Sequence, residues 1–289
     1  MRIIALETSI VVGAAVCAFA AAPGAVSAAT LIPLQQQRST NGFVIVPPCG
    51  PDTSDFGGEQ AAAFELFESV VVVDLTCKAA SGSALSVQFS QILPQRLSAD
   101  AEVASFASST VPTVIHAIPS TLYEVTFQLD QAARFQMSGE LTASGALPVV
   151  FGGAMVRLRH ADGTTIFDHS LSPDATGTLV SLNLDEHGVL AAGTYTLHAS
   201  ALSVIDSTVP PGGSGDASFE FIYDIAGFAD LNGDGVVDGL DLGILMGNWS
   251  IPAGSPGCEG AVPCSADLNG DGVVDGLDLG MLLDAWTGA

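Results

Sequence analysis

The fifteen residues ADLNGDGVVDGLDLG occur twice in the chain, at 229–243 and at 266–280, without one difference. A segment repeated so faithfully, at an offset of 37 residues, specifies two equivalent units. Each copy holds four Asp, one Asn and no Lys or Arg. Four carboxylates gathered within a dozen residues repel one another unless a cation sits among them. The repeat therefore points to a cation, and to a segment whose folding is coupled to binding it.

The spacing identifies the kind of cation. With Asp230 as position 1 of a twelve-residue loop, Asn232 and Asp234 fall at positions 3 and 5, Val236 at 7, Asp238 at 9 and Asp241 at 12. The second copy places Asp267, Asn269, Asp271, Val273, Asp275 and Asp278 at the same positions. Gly235 and Gly272 stand at position 6, where the backbone reverses. This is the ligand spacing of an EF-hand-type calcium loop, with side-chain oxygens at 1, 3, 5 and 12, the carbonyl at 7, and position 9 acting through a water. Calcium, a hard cation taking six to eight oxygens, fits better than magnesium, which demands strict octahedral geometry and sheds water reluctantly. Two ions are expected, one per loop.

The flanks depart from the ordinary EF-hand. Position 12 is Asp in both copies, and no helix-forming segment precedes either loop. A helical period follows each one: Leu242, Leu245, Met246 and Trp249 in LDLGILMGNW, and Leu279, Leu282, Leu283 and Trp286 in LDLGMLLDAW. Each unit (230–249 and 267–286) is thus a calcium loop with one exit helix. Neither could bury its apolar face alone, and two copies are the minimum that closes a core. Val237 and Val274 are expected to pack between the loops.

Duplicated loop-plus-helix units with Asp at position 12 resemble the type I dockerin family over about residues 228–289. The resemblance implies calcium at both loops and a cohesin-like protein partner, with contacts around loop positions 10 and 11 and on the exit helices. Here those loop positions are Gly239 and Leu240, and Gly276 and Leu277. A plainer reading makes the module a calcium-stiffened terminus that packs on itself.

The rest of the chain reads as an exported β-protein. Residues 1–28 have the features of a signal peptide: Arg2, an apolar run from Ile10 to Ala22, and Val26 and Ala28 at the −3 and −1 positions of a cleavage site. No other stretch is apolar and long enough to span a bilayer. Four cysteines remain, and proximity favours Cys49–Cys77 and Cys258–Cys264 disulfides. Residues 160–289 contain 19 Asp or Glu and no Lys or Arg, a surface that repels nucleic acid and attracts cations. The expected location is extracellular or at the cell surface.

Residues 29–225 show a period of two. One apolar face runs through Tyr123, Val125, Phe127 and Leu129, another through Phe135, Met137, Gly139 and Leu141, and a third through Phe219, Phe221 and Tyr223. Val156 and Leu158, and Tyr195, Leu197 and Ala199, repeat it. Turn-formers such as Asp130-Gln131 and Ala161-Asp162-Gly163 separate these runs. The pattern predicts a mainly β fold, an antiparallel sandwich or jelly roll, followed near residue 226 by the small helical module at 226–289. FELFESVVVVDLTC (64–77) is expected as one long strand.

No nucleophile elbow, HExxH or phosphate loop is present, and no catalytic residue is assigned. The five His (116, 160, 169, 187 and 198) are scattered, with His160 and His169 flanking a turn. Glu124 and Glu140, on candidate neighbouring strands, are the pair a polysaccharide-degrading sandwich would use if they shared a cleft. Against that enzyme stands a non-catalytic secreted protein that docks through its C-terminal module in extracellular assembly or polysaccharide capture.

Overall fold

A computed structural model describes residues 29–47, 54–62, 64, 66–77, 79–111, 114–145, 150–174, 177–207, 213–227, 229–232, 234, 236–249, 266–268 and 273–286. Residues 1–28, expected as a signal peptide, and Cys49, Gly235, Cys258, Cys264, Asn269, Asp271 and Gly272 lie outside the described residues.

Two antiparallel sheets pack face to face. The first has seven strands: β1 (Leu31–Ile45), β2 (Ser54–Gln60), β6 (Ile115–Ala117), β7 (Ser120–Leu129), β9 (Val150–His160), β10 (Thr165–Leu171) and β12 (Gly193–Ser207). Its order is β10-β9-β12-β6-β1-β2, with β7 also lying between β12 and β1. The second has six: β3 (Phe67–Thr76), β4 (Ala80–Ile92), β5 (Arg96–Ser109), β8 (Ala133–Gly145), β11 (Val180–Leu190) and β13 (Gly213–Gly227), ordered β11-β8-β13-β5-β4-β3. The chain is mainly β, as the alternation predicts.

The apolar faces read from the sequence meet between the sheets. Tyr123, Val125, Phe127 and Leu129 of β7 are buried, with Leu197 and Ala199 of β12 beside them and Phe219, Phe221 and Tyr223 of β13 opposite. Tyr123 meets Phe221 edge to face at 5.3 Å between centroids, a favoured aromatic geometry. Gly139 alone among the named positions is not an apolar filler. A Cβ there would lie 2.0 Å from the Glu220 carbonyl oxygen on β13, so the close approach of two backbones excludes any side chain. The β9–β10 turn is set by Asp162, whose carboxylate accepts from the Thr164 N–H at 2.8 Å, and by Gly163 at φ +93.

Two elements differ from expectation. The strand expected over 64–77 begins at Phe67, and Phe64 and Leu66 precede it, partly exposed. The other surprise is Arg38 on β1, which is fully buried. Its Nε donates to Gln36 Oε1 at 2.9 Å, its Nη1 donates to the Ser90 carbonyl at 3.2 Å, and its guanidinium lies 5.7 Å from the Phe67 ring centroid. Around it the inner face of β4 is polar: Ser86, Gln88 and Ser90 are buried while Val87 and Phe89 point outward.

Strand β13 lies in the middle of its sheet and carries the chain out of the sandwich. It pairs with β8 as far as Ala226↔Arg134 and Gly227↔Ala133. Three residues later the Asp230 N–H donates to the Gly227 carbonyl at 3.0 Å. The first acidic loop therefore begins directly at the end of a sheet strand.

Candidate functional site

Both repeats close by the same device. In the first, Asp238 caps helix α1 (Gly239–Gly247): its Oδ1 accepts from the Leu240 N–H at 2.8 Å. Asp241, three residues on, returns the bond, its Oδ2 accepting from the Asp238 N–H at 2.8 Å. This is a capping box with Asp at both ends. The other Asp241 oxygen reaches back to the loop's start and accepts from the N–H groups of Leu231 at 2.7 Å and Asn232 at 3.1 Å. In the second repeat Asp275 caps α2 (Gly276–Asp284), and Asp278 accepts from Asp275 and Leu268 amides, both at 2.7 Å. Asp241 and Asp278 are fully buried.

The middle of the first loop is turned by its other acceptors. Asn232 Oδ1 accepts from the Asp234 N–H at 2.9 Å, and Asp234 Oδ1 accepts from the Val236 N–H at 2.9 Å. These Asx-type bonds explain why short oxygen-bearing residues recur at every second position. Of the sequence-named ligands, Asp230, Asn232, Asp234, Val236, Asp238 and Asp241 share this one loop; Asp267, Val273, Asp275 and Asp278 share the other. Among the described residues no three His, Cys, Asp or Glu side chains converge as a preformed metal cluster. The carboxylates are held by the loop's own amides.

The donor set still suits a hard divalent cation. Every polar ligand group is an oxygen, and a carboxylate oxygen holding one amide keeps capacity for a second partner. Asp230 and Asp267, like the position-12 residues, are buried. Burying carboxylates in a module whose sequence from 226 to 289 contains no Lys or Arg is costly without a counter-cation. The sandwich contributes one positive charge nearby. Burial pulls the half-buried Arg134 guanidinium below the ordinary arginine value, and the charges of Asp230 and Asp267 push it back up.

Between the loops lies a small core. Val237 and Val274 are buried as expected, in one cluster with Leu245, Leu282, Leu268, Ala229 and Ala266. The exit helices bury less than their pattern promised. Met246 and Leu283 are each 52 % exposed, and Trp249 is 37 % exposed. Two nine-residue helices cover only one narrow stripe of each other: Met246 and Leu283 lie one step round the cylinder from Leu245 and Leu282, and Trp249 lies past the end of α1. The named partner positions are open: Leu240 and Leu277 are each 63 % exposed, and Gly239 and Gly276 have nothing within 4 Å of where a Cβ would be. Each repeat thus shows solvent the same uncharged surface.

The sandwich does not assemble the carboxylate pair considered for catalysis. Glu124 lies on β7 in the seven-stranded sheet and Glu140 on β8 in the six-stranded one, and both face outward. These two consecutive strands belong to opposite sheets, so the two residues cannot flank one cleft. The Glu124 carboxylate lies 3.0 Å from His198 Nδ1 on the neighbouring strand β12. His160 and His169 are also partnered singly, with Asp162 at 3.0 Å and Glu186 at 2.7 Å, rather than with each other. Cys77 is disulfide-bonded just past β3.

Comparison with known proteins places the module and leaves the sandwich open. Residues 228–285 match the dockerin type I domain. Dockerin domains in general bind calcium and dock onto cohesin-type partners. No curated protein matches the chain. Among solved structures, the enzymatically active domain of bacteriophage CBA120 tailspike protein 4 is 13 % identical, at a TM-score of 0.21, over 49 % of this chain. The chain spans only 19 % of that protein's length. The VP2 subviral particle of infectious bursal disease virus is 8 % identical over 70 % of this chain and 65 % of its own, at a TM-score of 0.18. Likeness at this level carries no argument. Among the described residues, no helix is long and apolar enough to cross a membrane.

Proposed function

We propose that this is a secreted, non-catalytic protein whose C-terminal module binds two calcium ions, one per loop, and docks on a cohesin-like partner. The observation that supports this reading best is the identical closure of the two loops, each latched by a buried position-12 Asp that also completes the capping box begun by the position-9 Asp. The ligands would be the side chains of Asp230, Asn232, Asp234 and Asp241, the Val236 carbonyl, and Asp238 through water. The second set would be Asp267, Asn269, Asp271, Asp278, the Val273 carbonyl and Asp275. The ion would offset half of the charge of the loop's four carboxylates and fix the exit helices.

The docking face would be Gly239 and Leu240 with Met246, or the equivalent Gly276 and Leu277 with Leu283. Exposed apolar side chains beside bare glycines suit an apolar partner surface that comes close to the helix backbone. The sandwich would then be cargo for extracellular or surface assembly, or for polysaccharide capture. Disulfides Cys49–Cys77 and Cys258–Cys264 would staple the sandwich edge and the inter-repeat segment separately. The test is capture of secreted and surface proteins by the full chain, in calcium and then in chelator. Calcium-dependent recovery of a cohesin-like protein supports the reading. Calcium binding without any captured partner sinks the docking half of it.

A further inference from the structure

We infer that Arg134 of the sandwich seats the C-terminal module by bridging the position-1 carboxylates of its two loops, so that module and sandwich form one body. The inference rests on the calcium-loop reading for what the carboxylates do, and on the strand register for where they are. Arg134 pairs with Ala226 across the last rungs of the β8–β13 ladder. The chain does not leave the sheet on a linker: Gly227 still pairs with Ala133, its carbonyl accepts the Asp230 N–H at 3.0 Å, and a Cβ on it would lie 3.9 Å from the Asp230 Cβ. Asp230 is therefore held within one turn of chain from the rung that carries Arg134. Asp267 follows Ala266, which is fully buried with Ala229, the residue before Asp230, in the one core between the loops, and its charge acts on Arg134 together with that of Asp230. Both aspartates are themselves buried.

Of the other described cations, Arg96 is bidentate to Asp224, Arg157 pairs with Asp168, Arg38 is inside the sandwich, and Arg159 lies on β9 of the opposite sheet, paired with Thr165 of β10. A guanidinium presents several donors in a fixed fork, so it can hold two carboxylates at once where an ammonium serves as a point charge. Arg134 is in this sense a positioning residue. Its charge relieves carboxylate repulsion when calcium is absent, and it opposes the entering cation.

The test uses the full chain with Arg134→Gln and Arg134→Lys. Amide hydrogen exchange at Ala226–Asp230 reads the seat, and calorimetric titration with calcium reads the loops. In chelator, Arg134→Gln is expected to lose at least tenfold in protection at these amides while β5 and β8 keep theirs, and Arg134→Lys to recover only part of it. In calcium, Arg134→Gln is expected to bind the ion several-fold more tightly than the parent, because a repelling charge is gone. Unchanged protection in Arg134→Gln overturns the inference, as does full recovery by any cation regardless of shape. If the parent chain itself binds no calcium, the calcium-loop reading fails, and the chelator arm alone still decides whether Arg134 holds the seat. If Arg134→Gln does not fold, the Lys variant and the parent at high salt carry the test: protection that neither change lowers overturns it.

Discussion

The Asp241 carboxylate holds the Leu231 N–H at 2.7 Å across ten residues of chain, and Asp278 holds Leu268 in the same way. One short side chain thereby ties the loop's start to the helix it enters. A Glu at this position would be one methylene longer, and the latch would have to shift.

Removing that latch should be costly and selective. Asp241→Ala leaves the part-buried amides of Leu231, Asn232 and Asp238 without their acceptor, and a net loss of about 1 kcal/mol per hydrogen bond is expected where water can replace it in part. The expected result is loss of the module's thermal transition in chelator, together with weaker calcium binding by calorimetry. Asp241→Asn keeps the shape and one acceptor and should fall between. A variant as stable as the parent would mean the latch contributes nothing.

The helix faces should separate stability from docking. Leu245→Ala and Leu282→Ala remove fully buried side chains and should each destabilise the module by roughly 2–5 kcal/mol. Met246→Ala and Leu283→Ala remove exposed ones and should leave the melting temperature nearly unchanged while weakening partner capture. Capture by the second pair equal to the parent's would move the docking face elsewhere.

Removing calcium should register in one part of the chain. Both Trp (249 and 286) belong to the module, and all three Tyr (123, 195 and 223) to the sandwich. Chelator is expected to shift the tryptophan emission while the tyrosine near-ultraviolet dichroism persists. A tyrosine signal that collapses in step would show that the sandwich depends on the ion as well.

Alkaline stability follows from the same tyrosines. Burial raises Tyr123 and Tyr223 well above the ordinary phenol value, and burial first, then the Asp162 charge, raises Tyr195. A folded-state pKa above the unfolded one favours the folded form below about pH 10, and that contribution is lost as pH climbs from there toward the folded values. Tyrosinate absorbance should therefore rise together with unfolding rather than before it. Asp162 behaves oppositely. The Thr164 amide, the Thr164 side chain and His160 hold its carboxyl at about 2, so its contribution is present above the usual carboxylate range and is lost as pH falls toward 2. A carboxyl resonance for Asp162 with a midpoint near 4 would contradict this.

The sandwich and the loops were legible in the sequence for different reasons. Alternation at Tyr123–Leu129 and Phe219–Tyr223 placed real core faces, because a half-buried strand sorts its side chains by solvent. Exact repetition exposed the loops, and Asp at 12 marked both, though its double duty as capping-box partner and latch was readable only as the Asp238–Asp241 spacing of a capping box. Periodicity could not tell which sheet a strand joins, so Glu124 and Glu140 looked adjacent. Nor could it foresee β4, where buried Ser86, Gln88 and Ser90 reverse the usual order around the Arg38 guanidinium. A single buried charge outweighs several methylenes there, since leaving it without acceptors costs more than exposing Val87 and Phe89. Arg134 was invisible for a similar reason, since Asp230 and Asp267, whose charges act on it, lie far along the chain from it.

Strand β13 is flanked along its length by β5 and β8 and ends three residues before Asp230. A pull on a docked module is then a pull along the axis of a central strand. Such a load shears the hydrogen bonds of both flanking ladders together, whereas an edge strand peeled from its sheet would lose them one rung at a time. The expected consequence is a tether that resists drag better than its equilibrium stability suggests. Force spectroscopy with the chain held by the module and by Ala29 would show it as one high-force rupture, and a gradual low-force release would show the load running elsewhere.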